Sequence, residues 1–290
     1  MESAIACYLS EVGKTSPQAI VIAVAGPVAD GCCRLMNNSW EVVQGEISSR
    51  FGAPVTLIND FVAIAHGLPV LSSQHCVPLG SVGAKPLDRD SVTVGVLGPG
   101  TGLGVAGLIK RGQFCVPLVS EAGHMGFAPE DALQREVLSV LARRYSRVSC
   151  ERVVSGVGLE NLYSALLEID GKKPGRLPAA EIFELRRENG RSTARRAPDL
   201  FFQVLGQVTG DIALAFGAED GIYIAGGIAR RYPNMIAASK FRESFVCKGR
   251  HRGMLESVPT LLIDHPEPGL VGARINGLGE ETNVLSVICC

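Results

Sequence analysis

The strongest constraint on the fold of this 290-residue chain is one short run: residues 19–25 read Ala-Ile-Val-Ile-Ala-Val-Ala and stop at Gly26-Pro27. A strand with one wet face alternates apolar and polar residues. A run with no polar break is covered on both faces, as in a parallel sheet. Residues 54–58 form a second short apolar strand that runs directly into Asn59-Asp60 and a helix over 61–68. Helices over 2–12, with Ile5, Leu9 and Val12 on one face, and over 46–51 complete the first unit. Strands alternating with helices predict an α/β fold.

A second unit starts at Ser91. Strands over 91–97 and 103–109 are joined by a glycine turn at 98–102, and a third strand over 113–118 follows Arg111-Gly112. Helical spacing then covers 131–145, 159–169 and 199–216, with strands at 221–225 and 259–263. The Arg-rich stretch between Gly171 and Pro198 interleaves its basic residues with Glu181, Glu184 and Glu188, which predicts a solvated helical face rather than a nucleic-acid patch. The second unit opens on a hairpin, the first directly on a helix. If both are copies of one design, the first lacks its opening strands.

Composition narrows the function classes. Hydrophobic residues make up 46% and charged residues 20%, with a formal charge of −1, so nothing draws the chain generally to nucleic acid or an anionic membrane. No apolar stretch is long enough to span a bilayer, and the first residues lack the basic and apolar regions of a signal peptide, so a cytoplasmic location is expected. Nine scattered cysteines without a CxxC suit a reducing compartment and predict no metal centre. The closing Cys289-Cys290 lacks C-a-a-X spacing and reads as a solvated tail.

Chemistry concentrates in a few loops. Gly98-Pro99-Gly100-Thr101-Gly102-Leu103-Gly104 holds more glycine than a turn requires, and backbone N–H groups there, with the Thr101 hydroxyl, could cradle phosphate. A plain tight hairpin remains the alternative. The spacing matches neither a dinucleotide fingerprint nor, at Val12-Gly13-Lys14-Thr15, a Walker loop. Asn59 and Asp60 stand at the carboxyl end of a parallel strand, where open α/β sheets bind ligands, although Asp60 could simply cap the next helix. Glu121, His124 and Glu151 add two carboxylates and an imidazole in glycine-punctuated loops, resembling a polyol site. Taken singly, His124 also fits a structural role and Glu151 a helix cap. Gly226-Gly227 ends a strand, either as a bland terminus or as backbone on which a nucleotide lies.

Together, Leu57-Ile58-Asn59-Asp60-Phe61, GPGTGLGV at 98–105, the run Glu121 to Pro129, the run Ser149 to Gly156 and IAGGI at 224–228 resemble the bacterial-type glucokinase family, in its order. Ala25-Gly26-Pro27-Val28, Met36-Asn37-Asn38-Ser39-Trp40, Lys248-Gly249-Arg250 and Pro268-Gly269-Leu270-Val271-Gly272 fit it too. The resemblance implies two actin-like, ribonuclease H-like domains around a central cleft: a small one over 1–70 plus 265–290 and a large one over 71–264. It implies phosphorylation of glucose at the 6-hydroxyl to glucose 6-phosphate, the entry to glycolysis, with ATP and Mg2+. Asp60 would be the general base, and Asn59, Glu121, His124 and Glu151 the sugar ligands. Gly100, Thr101 and Gly102 would meet the ATP phosphates, and Gly226 and Gly227 the adenosine. A homodimer would fit.

The family opens with a strand and an Asp-x-Gly-Gly-Thr-Asn turn that grips ATP phosphate and helps hold Mg2+. No Asp-x-Gly-Gly-Thr occurs here. The chain therefore reads as cut short at its N-terminus, with an alternative as a non-catalytic sugar-binding or regulatory relative that has lost this loop. Residues 19–25 are then expected to show a bare apolar edge of unpaired N–H and C=O groups, unless the chain borrows a strand.

Overall fold

The computed structural model describes residues 1–13, 16–35, 40–71, 75–188, 193–277 and 284–289. The motif residues Met36–Ser39, Lys14-Thr15 and Cys290 lie outside them. Helix α1 (Glu2–Glu11) leads into β1 (Ala19–Val24). A small hairpin, β2 (Cys32–Arg34) with β3 (Glu41–Val43), precedes α2 (Gln44–Phe51) and β4 (Val55–Asn59). β1 is the middle strand of a three-stranded parallel sheet, with β4 on one side and β11 (Val284–Cys289) on the other.

The run of unbroken apolar residues is explained by what lies on each face of that sheet. Ile20, Ile22 and Val24 pack with Ile5 and Leu9 of α1 and Ile47 of α2. Val21 and Ala23 face the other way, onto Ala63 and Ala273.

The expected bare edge is absent. Its place is taken by β11, in register from Ala19 opposite Val284 to Val24 opposite Cys289. An apolar strand edge is a strong template for any β-prone segment, and Val-Leu-Ser-Val-Ile-Cys is one. Cys289, expected in a solvated tail, instead ends a paired strand.

The larger sheet has six strands in the order β5-β10-β9-β6-β7-β8. They are β5 (Cys76–Pro78), β6 (Ser91–Pro99), β7 (Leu103–Arg111), β8 (Phe114–Ser120), β9 (Gly221–Ile224) and β10 (Thr260–Ile263). β6, β9 and β10 run parallel, while β6-β7-β8 form an antiparallel meander. Between the meander and β9 come α4 (Ala132–Ala142), α5 (Gly156–Ile169), α6 (Ala179–Glu188) and α7 (Thr193–Phe216). They share one large core with Leu97, Val105, Ile222 and Ile224 of the sheet.

The expected solvated face of α6 is only part of it: the helix buries Ile182 and Phe183, whose ring stacks on Tyr232. α7 begins before Pro198, not after it. Burial of Thr193, Ala194 and Ala197 outweighs the hydrogen bond that proline forgoes.

Short helices α8 (Gly227–Arg231), α9 (Pro233–Ala237), α10 (Phe241–Val246) and α11 (Arg252–Glu256) separate β9 from β10, and α12 (Pro268–Gly277) follows. One element joins the two sheets. α3 (Asp60–Gly67) grows from the end of β4, yet its Val62 and Ile64, with Leu68 just beyond it, pack on Val92, Val94 and Val96 of the larger sheet. α12 lies against α3 so closely that a Cβ on Gly272 would overlap the Ala63 carbonyl. No helix among the described residues is long and apolar enough to cross a membrane.

Candidate active site

β4 ends in an amide and a carboxylate, and the structure gives them different work. Asn59, in extended conformation, caps α3: its Oδ1 accepts from the backbone N–H groups of Phe61 (2.9 Å) and Val62 (3.3 Å). Its Nδ2 donates to the Gly26 carbonyl (3.3 Å), which ties the cap to the turn after β1. Its other N–H serves the Asp60 carboxylate. The cap that Asp60 could have supplied is made by Asn59.

Asp60 occupies the first turn of α3, its Oδ1 accepting from Phe61 N–H (2.9 Å). Burial pushes its carboxyl up to about 6, and the nearby negative charge of Glu121 pushes the same way; hydrogen bonds from the Phe61 and Asp60 backbone and the Asn59 side chain offset part of the rise. A carboxylate that ionises close to neutrality is suited to accept a proton from a hydroxyl.

The glycine-rich loop is the tip of the β6-β7 hairpin, closed by Gly100 N–H donating to the Gly102 carbonyl (2.8 Å). Its glycines serve several neighbours. At Gly98 a Cβ would stand 2.7 Å from the Ala225 carbonyl and 2.9 Å from the Phe61 ring, and at Gly104 it would overlap that ring. At Gly102 it would stand 2.5 Å from the Glu151 carboxylate, whose Oε2 accepts from Leu103 N–H (3.0 Å). Gly226, at φ +92°, brings its backbone against the Pro99 carbonyl, 2.7 Å from where a Cβ would sit. Gly100 and Gly227 instead face open space, and Thr101 is exposed. An open cradle thus remains at Gly100, Thr101 and Gly227.

Glu121 and His124 flank a 3-10 turn, Ala122–His124, that follows β8. Gly123 fits under β7, where a Cβ would strike the Leu103 carbonyl. His124 Nε2 and Glu121 Oε2 are 3.9 Å apart, both side chains well exposed. A bridge from Gly126 to Ser149, and Cys150 N–H donating to the Met125 carbonyl (2.8 Å), fasten this turn to the one carrying Glu151. The hairpin tip, the Glu121–His124 turn and the Glu151 turn are therefore one connected surface, reached by Asp60 through Phe61 on the hairpin and through the charge of Glu121. Among the described residues, no group of three or more His, Cys, Asp or Glu could hold a metal ion.

Sequence reading passed over three participants. Phe61 looks like the first apolar residue of a helix; only its position opposite Gly98 and Gly104 gives it a role. Lys248 carries resemblance alone. Its side chain is 7% exposed, between Glu130 (2.6 Å) and Asp211 (2.8 Å). It pins the loop that follows the Glu121–His124 turn onto α7. Cys33 is buried, and the Asp60 charge helps burial push its thiol up.

Comparison with known proteins gives one consistent result. The family model described as Glucokinase matches residues 1–278. A glucokinase from Caulobacter vibrioides (strain NA1000 / CB15N) is 40% identical over 277 residues, covering 94% of this chain and 82% of the relative. The crystal structure of glucokinase from an Antarctic psychrotroph superposes with a TM-score of 0.86 at 33% identity, over 95% of this chain and 85% of that one. A ROK family glucokinase from Streptomyces griseus, solved with glucose and AMPPNP, shares the fold at a TM-score of 0.58 and 21% identity, over 94% and 85% of the two chains.

Proposed function

The chain belongs to the glucokinase family and is a glucose kinase, and on that premise we propose that it transfers the γ-phosphoryl group of ATP to the 6-hydroxyl of glucose, with Asp60 as general base. The observation that carries this reading is the setting of Asp60: half-buried, raised to about 6, within reach of the Glu121 charge, and next in sequence to Phe61, whose ring lies on a glycine hairpin with an open tip.

In this reading Asp60 accepts the 6-hydroxyl proton as that oxygen bonds to phosphorus and the bond to the ADP oxygen breaks. Little covalent chemistry is left to the protein, so positioning and charge dominate the barrier. Glu121, His124 and Glu151 bind sugar hydroxyls, together with Asn59. Acceptors left unpaired by a missing hydroxyl would supply sugar selectivity. Gly100, Thr101 and Gly102 offer the hairpin backbone and a hydroxyl to the ATP phosphates, with Gly226 and Gly227 beside the adenosine. Mg2+ held on the ATP phosphates would neutralise their charge.

The two lobes, 1–70 with 265–290 and 71–264, would close over the sugar, with α3 shared between them. Glycolytic entry in the cytoplasm, as a homodimer, completes the proposal.

A coupled assay for glucose 6-phosphate beside a glucose-binding titration tests it. Turnover with glucose and ATP, and competitive inhibition without turnover by 6-deoxyglucose, are the expected results. Glucose binding with no product would overturn the reading in favour of a sugar-binding relative.

A further inference from the structure

Phe61 touches both halves of the site at once. Its N–H donates to the side chains of Asn59 and Asp60, each at 2.9 Å, and so helps hold the carboxylate. Its ring lies on the stem of the glycine hairpin, filling the space that side chains at Gly98 and Gly104 would need. These two glycines sit at paired positions across the stem, Gly98 opposite Gly104. Neither has a positive φ, so turn geometry does not account for them. The ring does, sharing Gly98 with the Ala225 carbonyl.

We propose that Phe61 is a positioning residue, a spacer that sets how far the Asp60 carboxylate stands from the hairpin tip, and that Gly98 and Gly104 are glycine to admit its ring. This rests on the reading of Asp60 as base and of the hairpin as the phosphate loop. In-line transfer requires the acceptor oxygen and phosphorus about 3–3.5 Å apart, and a displacement of about 1 Å costs on the order of 100-fold in rate. A rigid aromatic ring between base and phosphate loop meets that demand. A flexible aliphatic side chain of the same reach would not.

A double-mutant cycle on the full chain tests the spacer, with Phe61→Leu, Gly104→Ala, the pair, and Asp60→Ala as reference. Gly104→Ala drives a methyl into the ring, and kcat is expected to fall about 100-fold while KM for glucose stays within about threefold. Phe61→Leu alone should lower kcat about tenfold. In the Phe61→Leu background the added methyl has room, so Gly104→Ala should cost there no more than about threefold, a coupling that contact makes and distance does not. Melting temperatures of the wild type, the two single variants and the pair should show the same sign of coupling.

Additive losses in both kcat and melting temperature overturn the proposal. So does coupling in melting temperature alone, which would reduce the ring to packing. Should Asp60→Ala retain turnover while the cycle remains coupled, the base assignment fails and the ring contact stands. A wild-type chain without turnover would defeat both the base reading and the spacer.

Discussion

Desolvation and the neighbouring charge of Glu121 raise the Asp60 carboxyl to about 6, and two signs follow. As the proposed base it would work ionised, so kcat should rise with pH through a midpoint near 6 and fall about tenfold per unit below it. Replacing Glu121 by Gln removes a charge that disfavours ionisation, so the midpoint should move down. For stability the sign reverses. A folded pKa raised above the unfolded carboxylate value of about 3.9 means that the unfolded chain ionises first, so Asp60 costs stability increasingly from about pH 4 to 6 and fully above. Asp60→Asn should therefore be more stable than wild type at pH 7, by up to about 3 kcal/mol, and match it near pH 4. Thermal melts at the two pH values decide this. At this scale a polar pair ending a parallel strand was legible, as a candidate site or as a helix cap. Which of the two caps the helix was not, because Asn and Asp cap equally well and only the approach of the Gly26 carbonyl separates them.

The elements that hold the site are a strand end, a hairpin and two short turns, and their fastening is mostly invisible in sequence. Strand β1, the hairpin β6-β7 and the core face of α7 follow from apolar runs and helical spacing. By contrast, β2, β3 and β5 are three-residue strands, too short for any periodicity. Glycine count pointed to the hairpin but misassigned the reason for Gly98 and Gly104, since residue 61 is remote in sequence. Lys248 is the clearest long-range fastening. Its removal leaves Glu130 and Asp211 facing each other without their shared cation. Lys248→Met should destabilise the chain by about 2 kcal/mol and raise KM for glucose more than it lowers kcat, because the loop beyond Glu121 and His124 loses one of its anchors to α7, keeping those from Gln203 and Gln207. Denaturant melts and steady-state kinetics measure both, and Lys248→Arg should recover part of each.

For the whole molecule, the α/β class and its two strand-and-helix units were readable from strand and helix order, whereas the closure of the three-stranded sheet by β11 was not. No local signal ties residues 284–289 to residues 19–24; the pairing follows from an apolar edge meeting a β-prone segment of the same chain. Deleting residues 279–290 should uncover that edge and lower the melting temperature by at least about 5 °C, with light scattering showing association that the full chain lacks. In the proposed function, this architecture brings one carboxylate to a sugar hydroxyl in front of a glycine hairpin. The most direct test is glucose 6-phosphate formation by wild type and Asp60→Ala, with glucose affinity measured on both. Loss of phosphorylation by at least about 100-fold with affinity held within about tenfold is the predicted result. Retained turnover in Asp60→Ala, or lost binding with unchanged turnover per bound sugar, would contradict the account.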